Sequence, residues 1–82
     1  MDKIILDARD LEHPKPLEEA TKILRELDMD SYLYMFHRKN PIPLLDLAQE
    51  HGFQTHSKEI DNSWHIIISK NPDINLQELL DV

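Results

Sequence analysis

The chain has 82 residues, of which 40% are hydrophobic and none is cysteine, so we expect one domain without disulfide or thiol chemistry. Sixteen acidic and nine basic side chains give a formal net charge of −7, which argues against nucleic acid as a partner, because that affinity rests on neutralising phosphates. No apolar run reaches the roughly 18 residues of a membrane span and no signal peptide is evident, so we expect a cytoplasmic protein without membrane contact.

The first part of the chain predicts a strand and then a helix. The β-branched run Ile4–Leu6 favours a short, buried strand. Pro14 and Pro16 end any strand and suit the start of a helix, where a missing N–H costs little. Apolar residues then recur at helical spacing, which places them on one helix face: Leu17, Ala20, Ile23, Leu24 and Leu27.

The middle of the chain repeats this pattern of a strand followed by a helix. The segment Tyr32–Phe36 is apolar on both faces of the predicted strand, which indicates a central strand. Pro41 and Pro43 mark a second helix start, and Gly52 is expected to end that helix in the left-handed conformation. The buried side of this helix is predicted to comprise Leu44, Leu45, Leu47 and Ala48.

The last part of the chain predicts a hairpin and a tail. Phe53–Ile60 and Ser63–Ser69 flank Asp61-Asn62, which is a signal for a two-residue turn. We therefore expect a domain over residues 1–70 with the order β-α-β-α-β-β, in which a right-handed crossover makes the first two strands parallel. Residues 71–82 form an acidic tail, compatible with one or two helical turns capped by Asn75.

Two copies of the pattern Pro-x-Pro-Leu mark a candidate binding site. Residues 14–17 and 41–44 each lie between a strand and a helix, and parallel strands bring such junctions to the sheet edge where ligands usually bind. Nearby histidines and cations indicate a pocket for a small anion. The alternative is that the prolines only stiffen two turns, that Arg9 pairs with Asp7 or Asp10, and that the remaining side chains are a solvated rim. The candidate ligand-binding residues are Arg9, His13, Lys15, His37 and Arg38.

The five histidines invite a metal hypothesis, but their spacing forms no helical pair of ligands. With a turn at Asp61-Asn62, His56 and His65 lie diagonally on one sheet face, and we expect a solvated face there rather than a metal site. The chain also lacks a nucleophile elbow, a glycine-rich phosphate loop and a thiol, so we predict that it is not an enzyme. No particular cofactor is indicated.

The segment Leu6–Leu17, with its Leu-Asp-x-Arg start and Pro-x-Pro end, resembles the TusA/SirA family of small sulfur-carrier proteins. The resemblance implies an α+β, two-layer sandwich with two helices on one face of a four-stranded mixed sheet, like the C-terminal domain of translation initiation factor three. Asp10 stands where that family has glycine, and His13 stands where it has its reactive cysteine. Because imidazole cannot carry sulfane sulfur, the resemblance gives His13 only the position of the carrier residue.

The second Pro-x-Pro-Leu, which follows His37, and the strand that begins at Trp64 resemble more closely an uncharacterised, cysteine-free branch of this superfamily. Members of that branch occur alone or joined to hemerythrin-like domains. The resemblance extends over nearly the whole domain, up to Lys70, and implies an association with redox, respiratory or nitrogen-oxide physiology. A fold relationship of this kind does not supply the ligand.

These observations favour a non-enzymatic binding or adaptor domain with Arg9, His13 and His37 at the centre of its site. We expect a protein partner or self-association, through the open sheet face or through the acidic tail Glu78–Val82. One alternative is a metal- or haem-binding protein that uses His13 and His37, and another is a pseudo-carrier that binds the partners of true sulfur carriers. An uncovered aromatic strip on the central strand would favour a protein contact, and its candidate residues are Tyr32, Tyr34 and Phe36.

Overall fold

The predicted order of strands and helices is confirmed by the computed structural model, which describes residues 1–81. The fold is the expected α+β arrangement, and the last residue of the predicted tail, Val82, lies outside the described residues. The elements in chain order are β1 (Asp2–Asp7), α1 (Lys15–Glu26), β2 (Ser31–His37), α2 (Ile42–Glu50), β3 (Gln54–Ile60), β4 (Ser63–Ser69) and a short 3-10 helix, η1 (Leu76–Leu79).

The four strands form one mixed sheet in the order β1-β2-β4-β3. Strand β1 runs parallel to β2, as the crossover predicts, and β4 is antiparallel to both β2 and β3. Strand β2 lies inside the sheet, which explains why its sequence is apolar on both faces. Because β1 and β2 are parallel, their carboxyl ends at Asp7 and His37 meet at the same edge of the sheet.

The two helices pack on one face of the sheet and form the main core with it. Helix α1 contributes Ala20 and Leu24, which lie on its predicted apolar face. The chain leaves α1 at Leu27, whose backbone is already extended and leads into β2. The fully buried strand residues beneath the helices are Leu33, Met35, Ile66 and Ile68.

Both predicted turn signals have the expected backbone conformation. Gly52 has a φ of 83°, and the amides of Gly52 and Phe53 donate to the carbonyls of Gln49 and Ala48, which closes α2 with a Schellman motif. Asp61 and Asn62 have φ values of 50° and 68°, as a type I′ turn requires. This turn sets the register of the hairpin.

The second face of the sheet is covered by the C-terminal segment of the chain itself. Leu76 is buried against Tyr32, Tyr34 and Ile67, and three flanking apolar residues pack on the same cluster: Ile74, Leu79 and Leu80. The expected short helix is present as η1, and Asn75 caps it by accepting the amide N–H of Gln77 at 3.1 Å.

This covering segment overturns two expectations about the second face. The aromatic strip is not left open, because Tyr32 and Tyr34 are buried. The hairpin register does place His56 and His65 diagonally on one face, but His65 is only 8% exposed, so that part of the face is not solvated. No helix within residues 1–81 is both long enough and apolar enough to cross a membrane.

Candidate functional site

A cleft of about 400 Å³ opens at the edge of the sheet where β1 and β2 end and where α1 and α2 begin. We call it the junction cleft. Its apolar lining residues come from both junctions and from β2: Leu11, Pro16, Leu17, Met35, Pro41, Pro43 and Leu44. Its polar lining residues are Glu12, His13, His37, Arg38, Lys39 and Asn40.

The two Pro-x-Pro-Leu segments shape the helix ends that face this cleft. The first backbone bonds of the two helices run from the amide of Glu18 to the Pro14 carbonyl, at 3.1 Å, and from the amide of Leu45 to the Pro41 carbonyl, at 3.0 Å. Neither helix has a side-chain cap among the described residues. The amides of Leu17 and Leu44 precede these bonds. Like the other initial amides of a helix, they therefore have no acceptor within the helix.

A backbone hydrogen bond fixes the tautomer of His37, which lies at the end of β2. Its Nδ1 accepts the backbone N–H of Lys39 at 3.1 Å, so the neutral ring carries its proton on Nε2. Burial lowers the pKa of His37 below its usual 6.5, and the charges of Arg38 and Lys39 lower it further. At neutral pH the ring thus offers an N–H donor, which suits an anionic or carbonyl oxygen.

The neighbouring polar residues supply positive charge and one unused acceptor. Arg38 and Lys39 are exposed, and neither pairs with a carboxylate of the described residues. The Arg38 guanidinium donates to the Leu11 carbonyl at 3.3 Å, which links the two junctions across the cleft. The Oδ1 atom of Asn40 is shielded from solvent without a hydrogen-bond partner in the described part of the chain.

Three of the five predicted site residues come together in the junction cleft, namely His13, His37 and Arg38. His13 is exposed and directly precedes the first Pro-x-Pro-Leu segment. Lys15 is also exposed, at the start of α1, but it does not line the cleft. The parallel pairing of β1 and β2 brings the two histidines to one edge, as predicted.

Arg9 is directed away from the junction cleft. Its guanidinium binds the Asp7 carboxylate through two hydrogen bonds of 2.9 and 2.6 Å and lies 5.1 Å from the ring centre of Phe36. Phe36 alternates with Met35 and His37 along β2, so it belongs to the opposite face of the sheet. The Arg9 bonds hold the pKa of Asp7 at about 2. The pairing with Asp7 that we considered as an alternative is therefore the one the structure contains.

Two apolar lining residues, Leu11 and Met35, belong neither to the predicted site residues nor to the Pro-x-Pro-Leu segments. The two-residue spacing between Met35 and His37 was a usable signal, because such residues share one face of a strand. Leu11 lies in the irregular segment before α1, where no periodicity predicts its direction. Within residues 1–81, no group of three or more histidine, aspartate or glutamate side chains is placed to hold a metal ion.

The sheet order, the two helices on one face and the paired junctions define a SirA-like fold. The crystal structure of a SirA-like protein from Desulfitobacterium hafniense is similar, with a TM-score of 0.70 and 26% sequence identity over 82% of this chain and 96% of that chain. Residues 5–70 match the family described as "Uncharacterized conserved protein (DUF2249)", and the chain belongs to this family. No curated protein matches the chain. The predicted relationship to SirA-like proteins is thus confirmed at the level of the fold.

Proposed function

We propose that this protein is a non-enzymatic binding domain whose junction cleft takes a small organic anion. The observation that carries the proposal is the gathering of His13, His37, Arg38 and Lys39 around one cleft of a protein with a net charge of −7. On an acidic surface, cations without carboxylate partners can bind an anionic ligand. The amides of Leu17 and Leu44 add donors at the two helix starts.

The apolar part of the cleft supports a ligand with a hydrophobic body as well as a charged group. A volume of about 400 Å³ lies within the range of small-molecule sites, which is roughly 300–1,000 Å³. Leu11, Met35 and Leu44 offer apolar contact, whereas Arg38 and Lys39 would hold the anionic group.

No catalytic step is part of this proposal. The lining residues include neither a thiol nor a hydroxyl side chain, so the cleft offers no nucleophile of those kinds. His13 occupies the position of the reactive cysteine of the sulfur carriers, and it cannot form a persulfide. We also propose that the protein belongs to a cysteine-free branch of the SirA-like domains. We propose a cytoplasmic location and an accessory role in redox or respiratory metabolism. A pseudo-carrier that binds sulfur-transfer partners through the same edge is a variant of this role.

A second candidate function is metal or haem binding through His13 and His37, which is supported by their shared cleft. The tautomer of His37 favours the anion over the metal. Because Nδ1 accepts the Lys39 amide, Nε2 carries the proton and has no lone pair for a metal. Coordination through Nε2 would require Nδ1 to be protonated and would break the hydrogen bond to Lys39.

The test is an NMR titration of the full chain with phenylacetate, and with uncharged phenylacetamide as the matched probe. We expect phenylacetate to shift the amide signals of Leu17 and Leu44, and phenylacetamide to bind at least about tenfold more weakly. The Arg38→Glu variant should weaken phenylacetate binding by about tenfold, while Lys58→Glu, on the opposite face, should leave it unchanged. Equal binding of the two probes, or no effect of Arg38→Glu, would refute the proposal. Stoichiometric metal or haem in protein purified without a tag, lost in the His13→Ala variant, would favour the second candidate.

A further inference from the structure

A second cleft, of about 530 Å³, lies beside the C-terminal halves of α1 and α2. We call it the helix-end cleft. Leu24, Leu47 and Phe53 give it an apolar surface, and Arg25, His51 and Lys70 supply its basic groups. It shares no lining residue with the junction cleft, so it is a separate site from the one proposed above.

The two strong cations of the helix-end cleft have no acidic partner in the described part of the chain. The ion pairs within residues 1–81 involve Lys3, Arg9 and Lys22. Neither Arg25 nor Lys70 donates a side-chain hydrogen bond to a carboxylate of these residues. Both side chains are exposed. On a protein with a net charge of −7, two unpaired cations beside one apolar cleft are a local reversal of the surface charge.

Stabilisation of helix ends accounts for only part of this arrangement. Arg25 lies in the last turn of α1, where its positive charge interacts favourably with the helix dipole. The His51 ring lies 2.9 Å from the Leu47 carbonyl at the end of α2. Lys70 follows a strand, so this explanation does not apply to it. It also does not explain why Leu47 and Phe53 remain partly exposed between the cations.

We propose that the helix-end cleft docks an acidic segment of a partner protein, with one apolar side chain in the cleft and flanking carboxylates at Arg25 and Lys70. Charge complementarity selects the acidic partner, and the apolar surface selects the inserted side chain. Arg25 and Lys70 are both exposed, so carboxylates that flank an inserted side chain of a partner can reach them. The overall negative charge does not prevent this contact, because salt screens charges beyond about 8 Å under physiological conditions.

The probe for this proposal is the peptide Glu-Glu-Leu-Phe-Glu-Glu, and the matched control replaces every glutamate with glutamine. Added to the full-length protein, the acidic peptide should shift the amide signals of Arg25, His51, Phe53 and Lys70. The glutamine peptide should bind at least about tenfold more weakly, and added salt should weaken the acidic peptide alone.

Charge variants separate this site from a general effect of net charge. Arg25→Glu and Lys70→Glu should each weaken the acidic peptide by about tenfold, whereas Lys58→Glu makes the same change of charge elsewhere and should have little effect. The neutral variants Arg25→Gln and Lys70→Gln should give intermediate losses, and unchanged spectra elsewhere would show that all variants fold.

Three results would overturn the proposal: equal binding of both peptides, peptide shifts confined to the junction cleft, or tighter binding of phenylacetate than of the peptide at the helix-end cleft. None of these depends on whether the junction cleft binds its own anion. Loss of phenylacetate binding at the junction cleft, with the peptide still shifting Phe53 and Lys70, would instead remove the proposed function and leave this inference standing.

Discussion

The hydroxyl group of Tyr34 lies 2.6 Å from Nδ1 of His65, and this bond joins β2 to β4 on the sheet face covered by the C-terminal segment. The same hydroxyl accepts the amide N–H of Asp81 at 2.9 Å, so it also links these two strands to the C-terminal segment. Burial raises the pKa of Tyr34, which keeps its hydroxyl group protonated at neutral pH. The Lys3 ammonium group lies 4.4 Å from the Tyr34 ring centre and pairs with the Asp81 carboxylate, which anchors the end of the chain to β1 as well.

The Tyr34→Phe substitution tests this anchor directly. It removes the hydrogen-bond partner of His65 Nδ1 and the acceptor of the Asp81 amide while keeping the buried ring. We expect the free energy of unfolding to fall by about 1–3 kcal/mol, because a buried imidazole nitrogen loses its partner. Urea denaturation measures this loss, and hydrogen exchange should show faster opening of residues 76–81 than of β2.

Tyr32→Phe is the matched control for the loss of a hydroxyl group. Tyr32 lies on the same strand and in the same apolar cluster, but its hydroxyl makes no hydrogen bond within residues 1–81. The substitution should change stability by less than about 0.5 kcal/mol, as ordinary substitutions away from specific contacts do. Equal destabilisation by both variants would show that the Tyr34 hydroxyl has no special role.

Leu76→Ala tests whether the C-terminal segment contributes to the fold of the domain. Leu76 is 6% exposed and packs against Tyr34 and Ile67. Truncation of a buried leucine costs about 2–5 kcal/mol, and we expect the lower half of that range because a surface segment can relax. The partly buried Leu80 provides the comparison, and Leu80→Ala should cost less. A loss below about 0.5 kcal/mol in Leu76→Ala would mean that the segment only rests on the sheet.

Much of the fold could be predicted because its signals are local. The prolines before α1 and α2, the positive φ of Gly52 and the turn at Asp61-Asn62 all act within a few residues. The packing of the C-terminal segment on the second sheet face is harder to predict. Leu76 and its neighbours form too short a segment to show a reliable period, and their docking depends on a surface formed by distant strands.

The candidate site divides in the same way. The parallel order of β1 and β2 predicts that His13 and His37 share an edge, because topology alone decides it. The sequence position of Arg9 allows its side chain to extend either towards the junction cleft or towards the opposite face of the sheet. The adjacent Asp7 carboxylate and the ring of Phe36 decide that choice, and the ring becomes a neighbour only in the folded sheet.

The pair between Arg9 and Asp7 predicts a pH dependence at the acid end. The side-chain hydrogen bond from Arg9 lowers the pKa of Asp7 from 3.8 to about 2, so the folded state releases this proton more readily than the unfolded state. The contribution to stability is present above pH 3.8 and is lost as the pH falls through about 2. NMR titration of the Asp7 carboxyl should report the low midpoint, and Arg9→Gln should return it towards the ordinary value. Because the pair is exposed, high salt should also raise the midpoint, and an unchanged midpoint in Arg9→Gln would contradict the assignment.

His37 connects the pH dependence of stability with that of ligand binding. Burial first, and then the charges of Arg38 and Lys39, lower the pKa of His37 in the folded protein. The unfolded chain therefore binds this proton at a higher pH, so the contribution of the neutral ring is present above pH 6.5 and is lost as the pH falls through the folded pKa.

An anion in the junction cleft would favour the charged ring and raise the pKa of His37, so its binding should be accompanied by proton uptake. The affinity for phenylacetate should consequently rise as the pH falls towards the pKa of His37 in the folded protein, which lies below the ordinary value. His37→Gln keeps a side-chain N–H donor but cannot titrate, so it should bind phenylacetate with an affinity that changes little with pH. NMR titrations of both proteins at several pH values, with the His37 ring signal followed in the wild type, measure the effect. The same pH dependence in His37→Gln as in the wild type, or an unchanged pKa of His37 in the presence of phenylacetate, would place the anion away from this ring.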